Sequence, residues 1–191
     1  MPNWVDVMYK VEGDKHELEH LRSSIEYLKN LSEQFLPNSW DGLWLGCLVK
    51  YLGGDPDKMY CRGEITEYQI EDDVLSIRMN CAWGEMNEVR HFLEKYYTSI
   101  KIYYFAEGEC DPYTNDKDGK YFPERYILDD EQDVWEEFKT LDDAVKYMES
   151  IYNRPFPKDV SKIKEILEEM TEGDDAEYDY IYFEEVEVVD D

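Results

Sequence analysis

The sequence predicts an α+β fold, a βαββαβ core followed by an α/β extension. Three observations predict it. In Val74–Ala82, Leu75, Ile77, Met79 and Cys81 fall on one face and Ser76, Arg78 and Asn80 on the other, the period of two of a half-buried strand. Beyond Gly84, Val89, Phe92, Leu93 and Tyr96 recur at three- and four-residue intervals, which is one helix face. Ile100, Ile102, Tyr104 and Ala106 then alternate again, so Val74–Glu107 reads as a strand–helix–strand crossover.

The chain opens with a similar pair. Val5, Val7, Tyr9 and Val11 alternate with Asp6, Met8 and Lys10, and Gly13 ends that strand. Asp14 is placed as a helix N-cap, with Glu17 three residues on in capping-box spacing. Leu18, Leu21, Ile25, Leu28 and Leu31 mark one face of a long helix that Pro37–Asn38–Ser39 stops. Trp40–Gly54 predicts a shorter, inserted helix. Cys61–Ile70 reads as a strand, joined by the Glu71–Asp72–Asp73 turn to the central stretch as a hairpin. With the inserted helix set aside, the order is that of the ferredoxin-like fold: an antiparallel four-stranded sheet with helices on one face, centred on the two strands of Val74–Glu107.

This core takes residues 1–110, with the helical insertion at about 40–54. Residues 111–191 form an acidic α/β extension packed on it. Asp118–Gly119 predicts a hairpin tip, Val134–Lys139 a short strand, and Leu141–Tyr152 a helix. Pro155 and Pro157 make a rigid link. Val160, Ile163, Ile166, Leu167 and Met170 mark a last helix that Gly173 ends, and Tyr178–Val189 is a strand.

Composition bounds the function. Forty-seven acidic residues against 20 basic give a net charge of −27 over 191 residues. Such a field repels polyanions, which excludes direct binding to a phosphate backbone as the main activity and favours basic partners. A hydrophobic share of 42% and an aromatic share of 15% are enough for a packed core. No apolar run approaches the roughly 18 residues of a membrane span, and no secretory leader pattern opens the chain. Cys47, Cys61, Cys81 and Cys110 contain no CxxC pair, so reduced thiols in a cytoplasmic protein are expected. No cofactor is expected: there is no phosphate loop and no dinucleotide-binding glycine pattern.

Several motifs carry candidate chemistry. His16, Glu17 and His20 satisfy bare H-E-x-x-H spacing, which would serve a metal-dependent hydrolase. Their place in the first turn of a surface helix, with Leu18 and Leu21 defining the buried face, favours an exposed histidine pair instead. Thr114–Gly119 resembles a calcium loop but lacks a carboxylate at the first position and a glutamate at the twelfth, where Arg125 stands; a solvated turn is favoured. Among the tryptophans, Trp40 and Trp44 on the inserted helix are candidates for docking a partner, the basis of a structural or regulatory protein-binding module. The strongest signal is acidic. One cluster holds Asp129, Asp130, Glu131, Asp133, Glu136 and Glu137. A second holds Asp174, Asp175, Glu177, Asp179, Glu184, Glu185 and Glu187, and residues 172–191 contain no lysine or arginine. Carboxylates on alternate strand residues lie about 6.6 Å apart, and adjacent elements could interleave them toward the charge spacing of a nucleic acid.

The opening Met1–Pro2–Asn3–Trp4 with its strand, glycine and helix, the Cys81–Ala82–Trp83 that closes a strand, and Ile102–Gly108 ending in Glu107–Gly108 resemble the YubB ferredoxin-like family of phage and plasmid proteins. The resemblance covers about Met1–Asp118. The chain departs from it after Trp83, where Gly84–Glu85–Met86 replaces a proline-containing segment. It implies a ferredoxin-like fold and a mobile-element origin and carries over no catalytic residue. A small, very acidic mobile-element protein also looks like anti-CRISPR and anti-restriction proteins, by charge and context. The expected function is therefore non-enzymatic: binding and inhibition of a basic nucleic-acid-binding defence protein, a CRISPR or restriction nuclease, with nucleic-acid mimicry by the acidic clusters.

Overall fold

In a computed structural model the described residues are 2–37, 42–108, 111–132, 134–172 and 178–190. They form a mixed α+β protein that divides into two compact units, Met1–Cys110 and Asp111–Asp191. No helix among the described residues is long and apolar enough to cross a membrane.

The first unit contains β1 (Trp4–Glu12), α1 (Lys15–Lys29), α2 (Leu45–Tyr51), β2 (Gly63–Glu71), β3 (Val74–Ala82), α3 (Asn87–Tyr96) and β4 (Lys101–Gly108). The strands lie in the order β2-β3-β1-β4, each antiparallel to its neighbours. Within this order β3 and β1 are interior; of the expected central pair β3 and β4, β4 gives way to β1, which lies between them and pairs with both along its length. Val5, Val7, Tyr9 and Val11 of β1 are each at most 1% exposed. With Ile77, Met79, Ile102 and Tyr104 they form the buried sheet face, and the core is completed by Leu18, Leu21, Ile25 and Leu28 of α1 and by Val89 and Leu93 of α3.

Local chemistry moves several boundaries. Helix α1 ends at Asn30 rather than at Pro37, because the Asn30 side-chain amide donates to the Glu26 carbonyl at 2.8 Å and closes the last turn. Leu31 is thereby left outside the helix. Asp14 caps the His16 N–H at 2.8 Å, but Glu17 does not complete a capping box. It accepts instead from the Ser99 N–H at 3.0 Å and the Ser99 hydroxyl at 2.6 Å. The expected helix over 40–54 begins only at Leu45. Trp44 is extended and bridges Glu64 of β2, while the Leu43 carbonyl accepts from Ile65, so the chain before α2 follows the β2 edge. β2 starts at Gly63, where a Cβ would meet Cys81 Sγ and Leu45 Cδ1 at 2.9 Å. Its register shifts between Ile65 and Glu67, a bulge that accounts for its irregular pattern.

The β2–β3 turn is strained. Asp72 and Asp73 have φ of 50° and 62°, the double left-handed geometry that asparagine and glycine favour. Lys15 reaches Asp73 only at 4.0 Å between largely exposed groups, which contributes little. Asp73→Gly is expected to raise stability by about 1 kcal/mol, read as a higher urea midpoint; a lower midpoint contradicts the strain.

The second unit contains β5 (Tyr113–Thr114), β6 (Tyr126–Asp130), β7 (Val134–Phe138), α4 (Leu141–Tyr152), α5 (Val160–Thr171), β8 (Ile181–Glu185) and β9 (Glu187–Val188). An antiparallel sheet β7-β6-β8 turns Leu128, Ile181 and Phe183 toward Ala144, Val145 and Met148 of α4 and Ile163, Leu167 and Met170 of α5, which together form one core. Thr140 caps α4, and Asn153, left-handed at φ 56°, ends it. Asp159 caps α5; Gly173, expected to stop it, lies outside the described residues.

Two expectations fail here. Tyr178–Val189 is not one strand. Val186 is buried and donates its N–H to the Arg125 carbonyl at 2.8 Å, and β9 beyond it pairs in parallel with β5. Asp118–Gly119 is not a hairpin tip either, because the loop is gathered around the Asp116 carboxylate. That group is fully buried and accepts from the N–H groups of Tyr121 at 2.6 Å and Phe122 at 2.9 Å.

Candidate functional site

The charge is concentrated. Residues 111–191 hold 27 acidic side chains against 9 basic, and residues 1–110 hold 20 against 11. The second unit therefore carries about two thirds of the net charge, and its sheet decides which carboxylates share a surface.

Asp129 sits on β6, the middle strand of this sheet, opposite Trp135 on β7 and Tyr182 on β8. Two residues along, Ile127 lies opposite Glu137 and Glu184. Since side chains alternate across a strand, Trp135, Asp129, Tyr182, Glu137 and Glu184 all belong to the sheet face away from α4 and α5. Trp135 is 53% exposed and Tyr182 60%. The Trp135 indole N–H donates to Glu137 at 3.3 Å, and the Tyr180 ring stacks on Tyr182 with centroids 5.3 Å apart. Lys164 pairs with Glu184. Burial, and then the neighbouring Asp130 carboxylate, raise the Asp129 carboxyl above its usual range.

The other predicted acids scatter. Asp130 is not a surface charge: it is 2% exposed, accepts from the Gln132 N–H and the Tyr152 hydroxyl, each at 2.8 Å, and so ties the β6–β7 turn to α4. Glu131 accepts from the Asp179 N–H at 2.8 Å, with Asp179 itself exposed. Glu185 lies on the opposite face of β8 from Glu184 and accepts from the Tyr126 hydroxyl. Glu187 is exposed on β9. Asp133, Asp174, Asp175, Glu177 and Trp40 lie outside the described residues. The sheet thus joins Asp129, Glu137 and Glu184 and adds Trp135 and Tyr182. The aromatic members were missed because only cross-strand register brings them together; the signal available was the alternation in Val134–Phe138 and Ile181–Glu185.

In the first unit, His16 is exposed, the His20 ring bonds the Tyr97 hydroxyl at 2.7 Å, and Glu17 is held by Ser99. Those Ser99 bonds hold the Glu17 carboxyl below its usual range. Glu17 and His20 are each engaged elsewhere, and no group of three or more potential metal ligands occurs among the described residues. Trp44 donates its indole N–H to the Cys61 carbonyl at 2.5 Å, which makes it a pin between α2 and the approach to β2 rather than a presented ring. Trp83 is more exposed, at 60%, with a left-handed φ of 71°. Cys47, Cys61 and Cys81 are buried thiols, and burial raises the last two above the usual thiol range, against nucleophilic use. A groove of about 790 Å³ gathers Lys10, Arg22, Lys29 and Arg78. Each is engaged: Lys10 with Ser76, Arg22 with Glu19, Lys29 over the Tyr68 ring and Arg78 forked on Asp6.

One polar cluster was not foreseen. Arg90 and Glu85 have side chains 3% exposed and meet at 3.2 Å. The Tyr9 hydroxyl donates to Glu85, Glu94 approaches Arg90 at 3.7 Å, and the guanidinium lies 5.2 Å from the Tyr104 ring centroid. Burial and then the Glu85 charge keep the Tyr9 phenol protonated, well above its usual value. The cluster joins β1, β4 and α3 and opens onto no described cavity. Comparison with family models, with curated proteins and with solved structures finds no match to the chain.

Proposed function

We propose that the chain is a non-enzymatic inhibitor that binds a basic nucleic-acid-binding defence protein, a CRISPR or restriction nuclease, through the carboxylates of its second unit. The observation that carries this reading is the concentration of charge in residues 111–191, 27 acidic against 9 basic. A basic nucleic-acid channel meets such a surface with complementary potential, which steers association and makes it salt-dependent. On this reading the inhibitor competes with nucleic acid for the same lysines and arginines.

Residues 1–110 are, in the same proposal, a ferredoxin-like scaffold. The β2-β3-β1-β4 order with helices between β1 and β2 and between β3 and β4 supports it. The resemblance of Met1–Asp118 to the YubB family carries the mobile-element origin and, with it, a bacterial cytoplasm as the place of action. No observation favours the His16–Glu17–His20 hydrolase or docking through Trp44.

The test is a cleavage assay with a purified CRISPR or restriction nuclease and the purified chain. Protection of the DNA is expected, with the inhibition constant weakening about tenfold or more between 50 and 200 mM salt. Absence of protection across a panel of both nuclease classes at low salt would sink the proposal.

A further inference from the structure

We infer that Trp135, Asp129 and Tyr182 form a receptor for one arginine side chain of the basic partner. The inference rests on the reading above and assigns its central contact. It starts from the register: Trp135 and Tyr182 flank Asp129 on the strands either side of β6. Neighbouring strands are about 4.8 Å apart, so the two aromatic residues leave the sheet roughly 9.6 Å from each other. A planar cation in van der Waals contact with a ring on each side needs roughly 7–8 Å between the rings. Rings standing upright from those two positions would admit one guanidinium layer between them above Asp129.

The chemistry of the three walls matches that ion. Aromatic faces attract a cation through the ring quadrupole, and a guanidinium can stack on them while its edge forks onto a carboxylate. No cation pairs with Asp129 among the described residues, and Glu137 stands on the same face as a further carboxylate, whereas Glu184 is already paired with Lys164. The rings are held in place before binding, Trp135 by its bond to Glu137 and Tyr182 by stacking on Tyr180. The raised carboxyl of Asp129 reflects a partly dry position, where an incoming cation is worth more than in water. Both rings are more than half exposed, so their exposure has a use that fold stability does not supply. A lysine, with a compact ammonium and no plane, uses the carboxylate but not the stack.

The experiment titrates the full chain with octa-arginine and octa-lysine peptides at 150 mM salt. Octa-arginine is expected to bind more tightly, and Trp135→Ala and Tyr182→Ala are each expected to weaken it about tenfold with little effect on octa-lysine and no change in net charge. Asp129→Asn, which preserves shape, should abolish the preference for arginine. Thermal midpoints of all three variants should match the parent. If the aromatic variants bind octa-arginine as tightly as the parent while Glu165→Gln/Glu168→Gln/Glu169→Gln on α5 weakens it, the receptor is overturned and the acidic-surface reading stands. If octa-arginine does not bind even at 50 mM salt, both fall.

Discussion

Arg90→Met is expected to destabilise the first unit by about 3–5 kcal/mol, because it removes the ion-pair partner of the buried Glu85 carboxylate. The magnitude follows from enclosure. Both side chains are 3% exposed, so water does not readily replace the lost cation, and the Tyr9 hydroxyl that also bonds Glu85 is neutral. The same substitution removes the guanidinium from the Tyr104 ring and from Glu94. Glu85→Leu/Arg90→Met, which removes both charges, is expected to recover most of the loss. Tyr9→Phe should cost less, about 1–3 kcal/mol, as the deletion of one donor. Urea unfolding of the four proteins measures these differences. A loss below about 1 kcal/mol for Arg90→Met would mean the pair is wetter than its geometry indicates.

The second large effect lies in the loop between β5 and β6. Asp116→Ala is expected to cost about 3 kcal/mol, since it removes an acceptor that serves two backbone N–H groups inside the protein. The loop has other ties, Asp116 N–H to Thr114 and Arg125 to the Asp116 carbonyl, but none of them replaces the carboxylate. The sign of the pH dependence follows from the same bonds. Burial pushes the Asp116 carboxyl up, yet the N–H donors of Phe122, Tyr121 and Lys120 and the Arg125 charge together outweigh it and hold it below its usual value. A depressed carboxyl contributes stability above its unfolded value, about 4, and loses it as pH falls through the folded value. The parent should therefore lose an increment of stability below about pH 4 that Asp116→Asn lacks, measured as urea midpoints from pH 6 to pH 2.5. Identical acid limbs for the two proteins would assign the increment to other carboxylates.

What could be read from the sequence was whatever repeats locally. β1, β3 and β4 announce themselves by alternation, and the helix faces of α1, α3, α4 and α5 by three- and four-residue spacing. Pairing is not local, so the central place of β1, between two strands reached after long connections, was invisible. Charges were the harder case. Glu85 looks like any other acid in a chain with 47 of them. Its only advertisement is Arg90, which sits between Val89 and Leu93 where a helix face turns inward. Asp130 was grouped with surface acids because it stands in a run of them, yet the turn that follows draws it inside to bond Gln132 and Tyr152. Trp135 and Tyr182 are 47 positions apart in the chain and became one feature only through the registers of β6 with β7 and with β8. Trp44 was misjudged for the opposite reason: a tryptophan beside a glycine-rich helix suggests presentation, but its N–H is spent on Cys61.

The bulge in β2 has a consequence for self-association. β2 has β3 on one side; on the other, Leu43 and Trp44 meet it at Glu64 and Ile65, and the edge beyond Ile65 offers backbone donors and acceptors that another chain's strand could join. The shift between Ile65 and Glu67 twists that edge and breaks the regular spacing an incoming strand needs, and Glu64, Glu67 and Glu71 add charge along it. The two guards fail under different conditions. Acid neutralises the glutamates and screening weakens them, whereas the bulge is geometric and persists. The bulge thus guards this edge against strand addition in conditions where the acidity of the chain no longer keeps copies apart.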